Sequence, residues 1–434
     1  METSRDVKQR ADVFSYLSLD VADNTLTATY ALDERRFVET VTFEGVPSLD
    51  RPEVRAVGEL WFLLAGLSYY KAGAARVIDL GETVITAAGR SLLAAALVDG
   101  LGEFSYRNDL PLDDVTFVGG HDAPLRPATV DPRRVVTPFG GGIDSVVTVA
   151  SLPDDLDQSL FVMSPPSGRF APLEATAELT GRPIVRATRS LDVQILRGDV
   201  SFFNGHVPVT SMVTMLAAVA AVADQRGGVV MSNEHSASVP NLVWRGRDIN
   251  HQWSKSWSAE KLLGDAIVAA LGDGVHVASF LRDRSELWVA ERFATLPDYL
   301  RTFRSCNRAF TQDAERRAAN WCGECDKCVF IALVLAPFVP RSELAAALGV
   351  EPLSDPARFE QLRTLVGLGE ERKPFECVGD PGECSVALRA LAEDPAWRDV
   401  ANVRQLAPLV STDVSLPELL QPMGESRVPA AWLR

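Results

Sequence analysis

Apolar and polar positions alternate over residues 14–19, 25–30 and 37–43, the period of strands with one covered face. Asn24 and the stretch Asp33-Glu34-Arg35 supply turn chemistry between these runs. The period then lengthens. Over residues 55–71 apolar and aromatic side chains recur at helical spacing, so residues 1–125 predict an α+β N-terminal domain. Pro124, Pro127 and Pro132 mark residues 121–134 as a linker. Beyond it, strand patterns at 135–136, 160–163, 184–187 and 228–231 alternate with helical ones at 145–152, 173–179 and 209–225. Such alternation implies βαβ units and a parallel sheet, whose ligands sit at the carboxyl ends of the strands. After Glu260 the pattern is mostly helical, and a proline-rich tail runs from Leu406. The expected division is an N-terminal domain over 1–125, a parallel-sheet domain over 126–335, and a helical C-terminal region over 336–434.

Composition narrows the class. The chain is 47% hydrophobic and 23% charged, which fits a globular protein and excludes a fibrous or disordered one. The closest approach to a membrane span, residues 212–223, is too short and alanine-rich for one and reads as a core helix. The first ten residues are charged and polar with no apolar signal core behind them, so a cytoplasmic protein is expected. The formal charge of −15 argues against a nucleic-acid partner, which needs a basic footprint. All six cysteines fall in the last third, where clustering points to metal ligation rather than disulfides.

The most informative stretch is Val135-Val136-Thr137-Pro138-Phe139-Gly140-Gly141-Gly142-Ile143-Asp144-Ser145. A strand runs into three glycines and then a helix. Glycines turn tightly and admit an anion close to the backbone, and successive N–H groups with the helix N-terminus can cradle phosphate oxygens. Asp144 is placed to hold Mg²⁺ and Ser145 to hydrogen-bond a phosphate. No Gly-Lys-Ser/Thr follows, so this is not a Walker loop, and the glycine spacing is not that of dinucleotide-binding turns. The loop resembles the PP-loop of the N-type ATP pyrophosphatases, Ser-Gly-Gly-x-Asp-Ser, departing only where Gly140 replaces serine. The resemblance implies an adenine nucleotide alpha hydrolase-like fold and cleavage of ATP to AMP and pyrophosphate.

Cys322-Gly323-Glu324-Cys325-Asp326-Lys327-Cys328, with Cys306 upstream, offers four thiolates for a tetrahedral structural Zn²⁺. An iron–sulfur cluster uses the same ligands. The pattern is similar to that of the 7-cyano-7-deazaguanine synthase family, where the four cysteines hold zinc. Cys377 and Cys384 form only a weak second pair. Two polar stretches follow the strand at 228–231. Ser232-Asn233-Glu234-His235-Ser236 falls at its carboxyl end. The run from Trp244 to Trp257 carries Arg245, Arg247, His251 and Lys255, cations suited to phosphates or carboxylates. His206 precedes the long helical pattern, either near the nucleotide or as a cap.

Taken together, these stretches resemble the UDP-N-acetylmuramoyl-L-alanyl-L-glutamate epimerase family. The residues that carry the resemblance are the segment 58–72, the loop from Thr137 to Ser145, the stretch 232–236, Asn250-His251-Gln252-Trp253-Ser254-Lys255, the cysteine cluster, and Lys373-Pro374-Phe375-Glu376-Cys377. The resemblance implies an ATP- and Mg²⁺-dependent inversion of the terminal L-glutamate of a UDP-linked muramoyl dipeptide, through an acyl-adenylate. It also implies roles. Gly140, Gly141, Gly142, Asp144 and Ser145 would bind the nucleotide, and Asp144 would act in catalysis. Asn233, Glu234, Arg245 and Arg247 would meet the substrate. His235, His251 and Lys255 are the candidates for the acid–base pair, and the N-terminal domain for reading the sugar nucleotide. Two other readings share part of this evidence: a PP-loop ligase or tRNA-modifying enzyme, against which the acidic charge weighs, and a nucleotide-binding module without turnover, suggested by Gly140.

Overall fold

The computed structural model describes residues 8–197, 199–309, 318, 320–369 and 373–433. Strands β1 (Val13–Ala22), β2 (Thr25–Leu32) and β3 (Arg35–Glu44) form an antiparallel meander. Its turns hold Asp23 and Asp33 at a φ of 51°, a left-handed conformation that aspartate tolerates. Helix α1 (Pro52–Gly73) is buried over nearly its whole length, because other elements cover it on both sides. The buried Tyr16 and Tyr30 hydroxyls donate to its Leu63 and Phe62 carbonyls at 2.6 and 2.9 Å. There follow β4 (Val77–Asp79), β5 (Val84–Ile85), α2 (Ala87–Val98), α3 (Gly102–Asn108), β6 (Thr116–Val118) and β7 (His121–Asp122).

The expected alternation then appears as β8 (Asp131–Pro138), α4 (Ile143–Ser151), β9 (Asp157–Ser164), α5 (Ala171–Glu178), β10 (Ile184–Ser190), α6 (Val193–Leu196), α7 (Val209–Ala223) and β11 (Arg226–Met231). A small ribbon, β12 (Leu242–Trp244) with β13 (Arg247–Ile249), leads to α8 (Trp257–Leu271), β14 (His276–Ser279), α9 (Glu286–Ala294) and α10 (Asp326–Leu335). Helices α11 (Arg341–Leu348), α12 (Phe359–Leu365), α13 (Pro381–Glu393), α14 (Ala401–Leu406) and α15 (Leu416–Leu419) complete a helical C-terminal region. The proline-rich tail is docked, with Trp432 fully buried and its indole N–H donating to the Pro132 carbonyl at 3.2 Å.

The central sheet has ten strands in the order β14-β11-β8-β9-β10-β3-β2-β1-β4-β6. From β14 to β10 the neighbours are all parallel. Numbered along the chain, those five strands lie 5-4-1-2-3, the doubly wound arrangement whose order reverses between the first and fourth strands. Side chains alternate between its faces. Phe161 packs towards α1 and α7, while Leu160 and Val162 pack towards α4, α9 and α10.

Two sequence expectations change. The boundary expected near residue 125 does not separate two sheets, because β3 pairs antiparallel with β10 and makes one continuous sheet. This pairing covers the edge that β10 would otherwise expose. The helical reading after Glu260 missed β14, which is only four residues long, too short to show a period.

Candidate active site

The crevice between the carboxyl ends of β8 and β11 is where the strand order reverses, and connections leave it in opposite directions. The glycine loop stands at the end of β8. Gly141 has a φ of 72°, and its carbonyl accepts the Arg304 N–H at 3.0 Å. A Cβ on Gly142 would lie 2.7 Å from the Ser305 hydroxyl oxygen, so the segment beside Cys306 packs directly on the loop. Gly140 faces open space. The Ser145 hydroxyl donates to the Gly142 carbonyl at 3.1 Å and steadies the first turn of α4.

Three carboxylates meet here. Oxygens of Asp144, Glu234 and Glu286 lie within 4.8 Å of one another. They come from the connections after β8, β11 and β14, three adjacent strands, which is why residues so distant in sequence converge. Asp144 Oδ1 and Glu286 Oε2 are buried without a hydrogen-bond partner. Burial, with the Glu234 charge second, raises the Asp144 pKa to about 6. Burial, with Glu234 and Asp144 behind it, pushes Glu286 well above the usual carboxylate range. Hard oxygen donors gathered against their own repulsion, two of them unpartnered, fit a divalent cation such as Mg²⁺. Lys327, on the first turn of α10, and Lys255 bring positive charge to the same cluster. Burial works against the Lys255 ammonium, but Cys377, Glu234, Asp144 and Glu286 outweigh it and hold its pKa above the ordinary lysine value.

Arg282 ties this constellation together. It is 1% exposed and pairs with Glu260, 2% exposed, at 2.8 Å. The same guanidinium donates to the backbone carbonyls of Glu234 at 2.9 Å and Lys255 at 2.6 Å.

Next to Lys255 lies a second group. His251 Nδ1 is 2.5 Å from Glu103 Oε2, and Glu103 Oε1 accepts from Arg107 at 2.5 Å. The His251 ring lies beside the Cys377 thiol and favours its thiolate. Burial opposes the imidazolium, but Cys377 and Glu103 raise its pKa to about 9. His206 packs on it with ring centroids 4.1 Å apart, and burial, then the His251 charge, lowers the His206 pKa to about 4.

The four cluster cysteines converge. All four sulfurs fall within 4.8 Å of one another, with Cys322–Cys328 at 3.7 Å and Cys325–Cys328 at 3.4 Å. Metal–sulfur bonds of about 2.3 Å in a tetrahedron imply sulfur separations of about 3.8 Å, so the spacing fits a single ion with every position filled by protein. This knot holds Ser305 against the glycine loop and starts the helix that carries Lys327.

The other expected site residues are placed as follows. Asn233 donates to the Ser279 hydroxyl at 3.0 Å, bracing β11 against β14. Arg245 pairs with Asp109 at 2.9 Å, and Arg247 with Asp99 at 3.1 Å and Asp113 at 2.6 Å, all at the surface. The His235 ring packs against Gly424. Sequence reasoning gave no role to Glu103, Glu286 or Lys327, and gave Cys377 only a weak pairing with Cys384. Only Lys327 and Cys377 stood inside stretches already singled out, and Glu286 opens a helix with nothing local to distinguish it.

A doubly wound α/β fold with a glycine loop, a carboxylate cluster and two lysines at its switch point has the architecture of an enzyme whose ligands meet the carboxyl ends of a parallel sheet. The particular family follows from comparison: the chain belongs to the UDP-N-acetylmuramoyl-L-alanyl-L-glutamate epimerase family. The MurL N-terminal domain model matches residues 5–280 and the MurL C-terminal domain model residues 302–418. A UDP-N-acetyl-alpha-D-muramoyl-L-alanyl-L-glutamate epimerase of a Micromonospora species is 36% identical, covering 98% of each chain. That of Salinispora tropica is 37% identical over 93% of this chain and 90% of its own. That of Xanthomonas oryzae pv. oryzae is 34% identical over 98% of this chain and 97% of its own. Among the described residues no helix is long and apolar enough to cross a membrane.

Proposed function

We propose that this enzyme inverts the terminal L-glutamate of UDP-N-acetylmuramoyl-L-alanyl-L-glutamate, activating it with ATP and releasing AMP and pyrophosphate. The observation that supports this best is the convergence of Asp144, Glu234, Glu286, Lys255 and Lys327 beside the glycine loop.

The α-carboxylate of the glutamate attacks the α-phosphorus of ATP, pyrophosphate leaves, and an acyl-adenylate forms. Activation addresses a specific barrier. A free carboxylate makes the adjacent α-proton very hard to remove, because the enolate would carry a second negative charge. Esterification with AMP removes the first charge, so a side chain of moderate pKa can take the proton. Return of a proton on the opposite face inverts the centre, and water then releases AMP. The glycine loop and the N-terminus of α4 present backbone N–H groups to phosphate oxygens. Lys255 and Lys327 offset charge that develops on the phosphates. Asp144, Glu234 and Glu286 would hold Mg²⁺, which would supply positive charge opposite the departing pyrophosphate. The cysteine knot would hold structural Zn²⁺.

The test mixes purified protein with ATP, Mg²⁺ and the UDP-linked dipeptide in D₂O. AMP release together with α-deuterated D-glutamate is the expected result. No AMP, or AMP without inversion, overturns the proposal. Elemental analysis of the same preparation should find zinc. A brown protein containing iron and acid-labile sulfide would replace zinc with an iron–sulfur cluster. Cys325→Ser is expected to lose the metal and most adenylation together, because the knot holds Ser305 and Lys327 in place. Metal loss with adenylation intact would separate the knot from the site.

A further inference from the structure

Residues 373–379 form a clamped strap beside the site. Asn241 donates to the Pro374 carbonyl at 2.7 Å, Gln252 to the Val378 carbonyl at 2.8 Å, and Asn307 to the Glu376 carboxylate at 2.5 Å. The Phe375 ring stacks on Tyr106 with centroids 5.6 Å apart. Gly379 packs so closely on Glu286 that a Cβ there would lie 2.9 Å from its side chain. The strap therefore lies against the carboxylate cluster. A loop that only closed over a surface would not need two buried amides to fix its backbone and a third to hold one of its side chains.

Two groups on the strap remain without a structural task. Lys373 is 1% exposed, and its ammonium has no hydrogen-bond partner. It faces Glu234, Asp380, Cys377 and Cys384, and burial lowers its pKa. A buried, unpaired ammonium costs several kcal/mol unless an anion arrives to meet it. Cys377 is the second group. It is partly exposed and lies beside His251, whose ring Glu103 orients from behind. Lys255 and Lys327 face the thiol from the other elements, and Glu376 and Lys373 flank it on the strap. Burial works against the thiolate, but Lys255 first and His251 next bring its pKa down to about 6. A group poised there is charged at neutral pH, yet basic enough to accept a proton.

We propose that this strap is the glutamate half of the site: Lys373 binds the side-chain carboxylate of the substrate, and Cys377 is the base that removes the α-proton. The proposal rests on the epimerase reading above. The Cys377 thiolate takes the proton from the α-carbon of the adenylated glutamyl group, forming the thiol and an enolate. Lys255 delivers a proton to the opposite face as an ammonium and becomes the amine. Solvent reprotonates the amine and takes the thiol proton before the next turnover. His251 and Glu103 are positioning residues that keep the sulfur ionised. The sequence motif 373–377, whose role the nucleotide chemistry leaves open, thereby gains a function.

Cys377→Ser tests it. With ATP, Mg²⁺ and the UDP-linked L-dipeptide, the variant should still exchange labelled pyrophosphate into ATP, which reads the adenylation that precedes proton removal. In D₂O, its deuterium entry at the L-glutamyl α-carbon should fall by about 10²–10⁴, the usual worth of a general base. Deuterium entry from the L-epimer at the wild-type rate overturns the proposal, and so does an equal loss of pyrophosphate exchange. Wild-type protein that neither releases AMP nor inverts the substrate would overturn the epimerase reading instead. If Cys377→Ser does not fold, the pH dependence of iodoacetamide labelling at Cys377 of the wild type decides. A midpoint near 6 supports the thiolate, and one above 8 overturns it. Lys373→Met should raise the KM for the dipeptide more than tenfold while leaving the KM for ATP in place. An unchanged dipeptide KM removes Lys373 from the site.

Discussion

Asp144→Asn is expected to lower AMP formation and glutamate inversion together, by at least about a thousandfold, the loss of about 4 kcal/mol of metal-assisted stabilisation. Asparagine keeps the shape and removes the charge, so the change isolates what the carboxylate contributes. The pH behaviour has a definite sign. The folded-state pKa of Asp144 is raised to about 6 by burial and by Glu234. The metal-free fold therefore favours the protonated form, and stability is lost as pH rises through about 6. A bound cation reverses this, because it needs the ionised ligand. Wild-type protein should gain more thermal stability from Mg²⁺ at pH 8 than at pH 5. Metal-free Asp144→Asn should melt no lower than wild type at pH 8 and gain little from Mg²⁺. Normal AMP release by the variant, or an equal Mg²⁺ effect on both proteins, would place the cation elsewhere.

Glu260→Ala should destabilise the protein by about 3–5 kcal/mol, because it leaves a buried guanidinium without its partner. Arg282 cannot move to water, since both side chains are almost completely enclosed. The loss should also reach catalysis. Arg282 holds the backbone of Glu234 and of Lys255, which lie on separate connections and have no other shared brace among the hydrogen bonds described. Urea unfolding measures the first effect, and kcat of the folded variant the second. A destabilisation below about 1 kcal/mol would mean that water or a neighbouring group takes over from the carboxylate.

The local elements of the nucleotide half were legible in the chain. Period-two runs located β1–β3, the alternation after residue 131 matched β8–β11, and the glycines before Asp144 marked the loop at the first strand's end. The four cysteines that converge were those whose spacing suggested it. These signals are local, since each depends on residues within a few turns of one another. Other features were not readable in this way. Antiparallel pairing of β3 with β10 joins the regions into one sheet, and pairing partners leave no mark in a strand's own period. Arg245 and Arg247 looked like ligand cations in sequence and meet surface aspartates in the fold.

By itself the sequence determined the strand–glycine–helix unit, the thiol cluster and the family, because those depend on residue type and short spacing. Only the tertiary structure decided that Glu286 joins Asp144 and Glu234, and that Glu103 meets His251 beside Cys377. The reason is geometric. A parallel sheet delivers the ends of adjacent strands to one crevice whatever their separation along the chain, and the order of those strands is set by packing rather than by any local pattern.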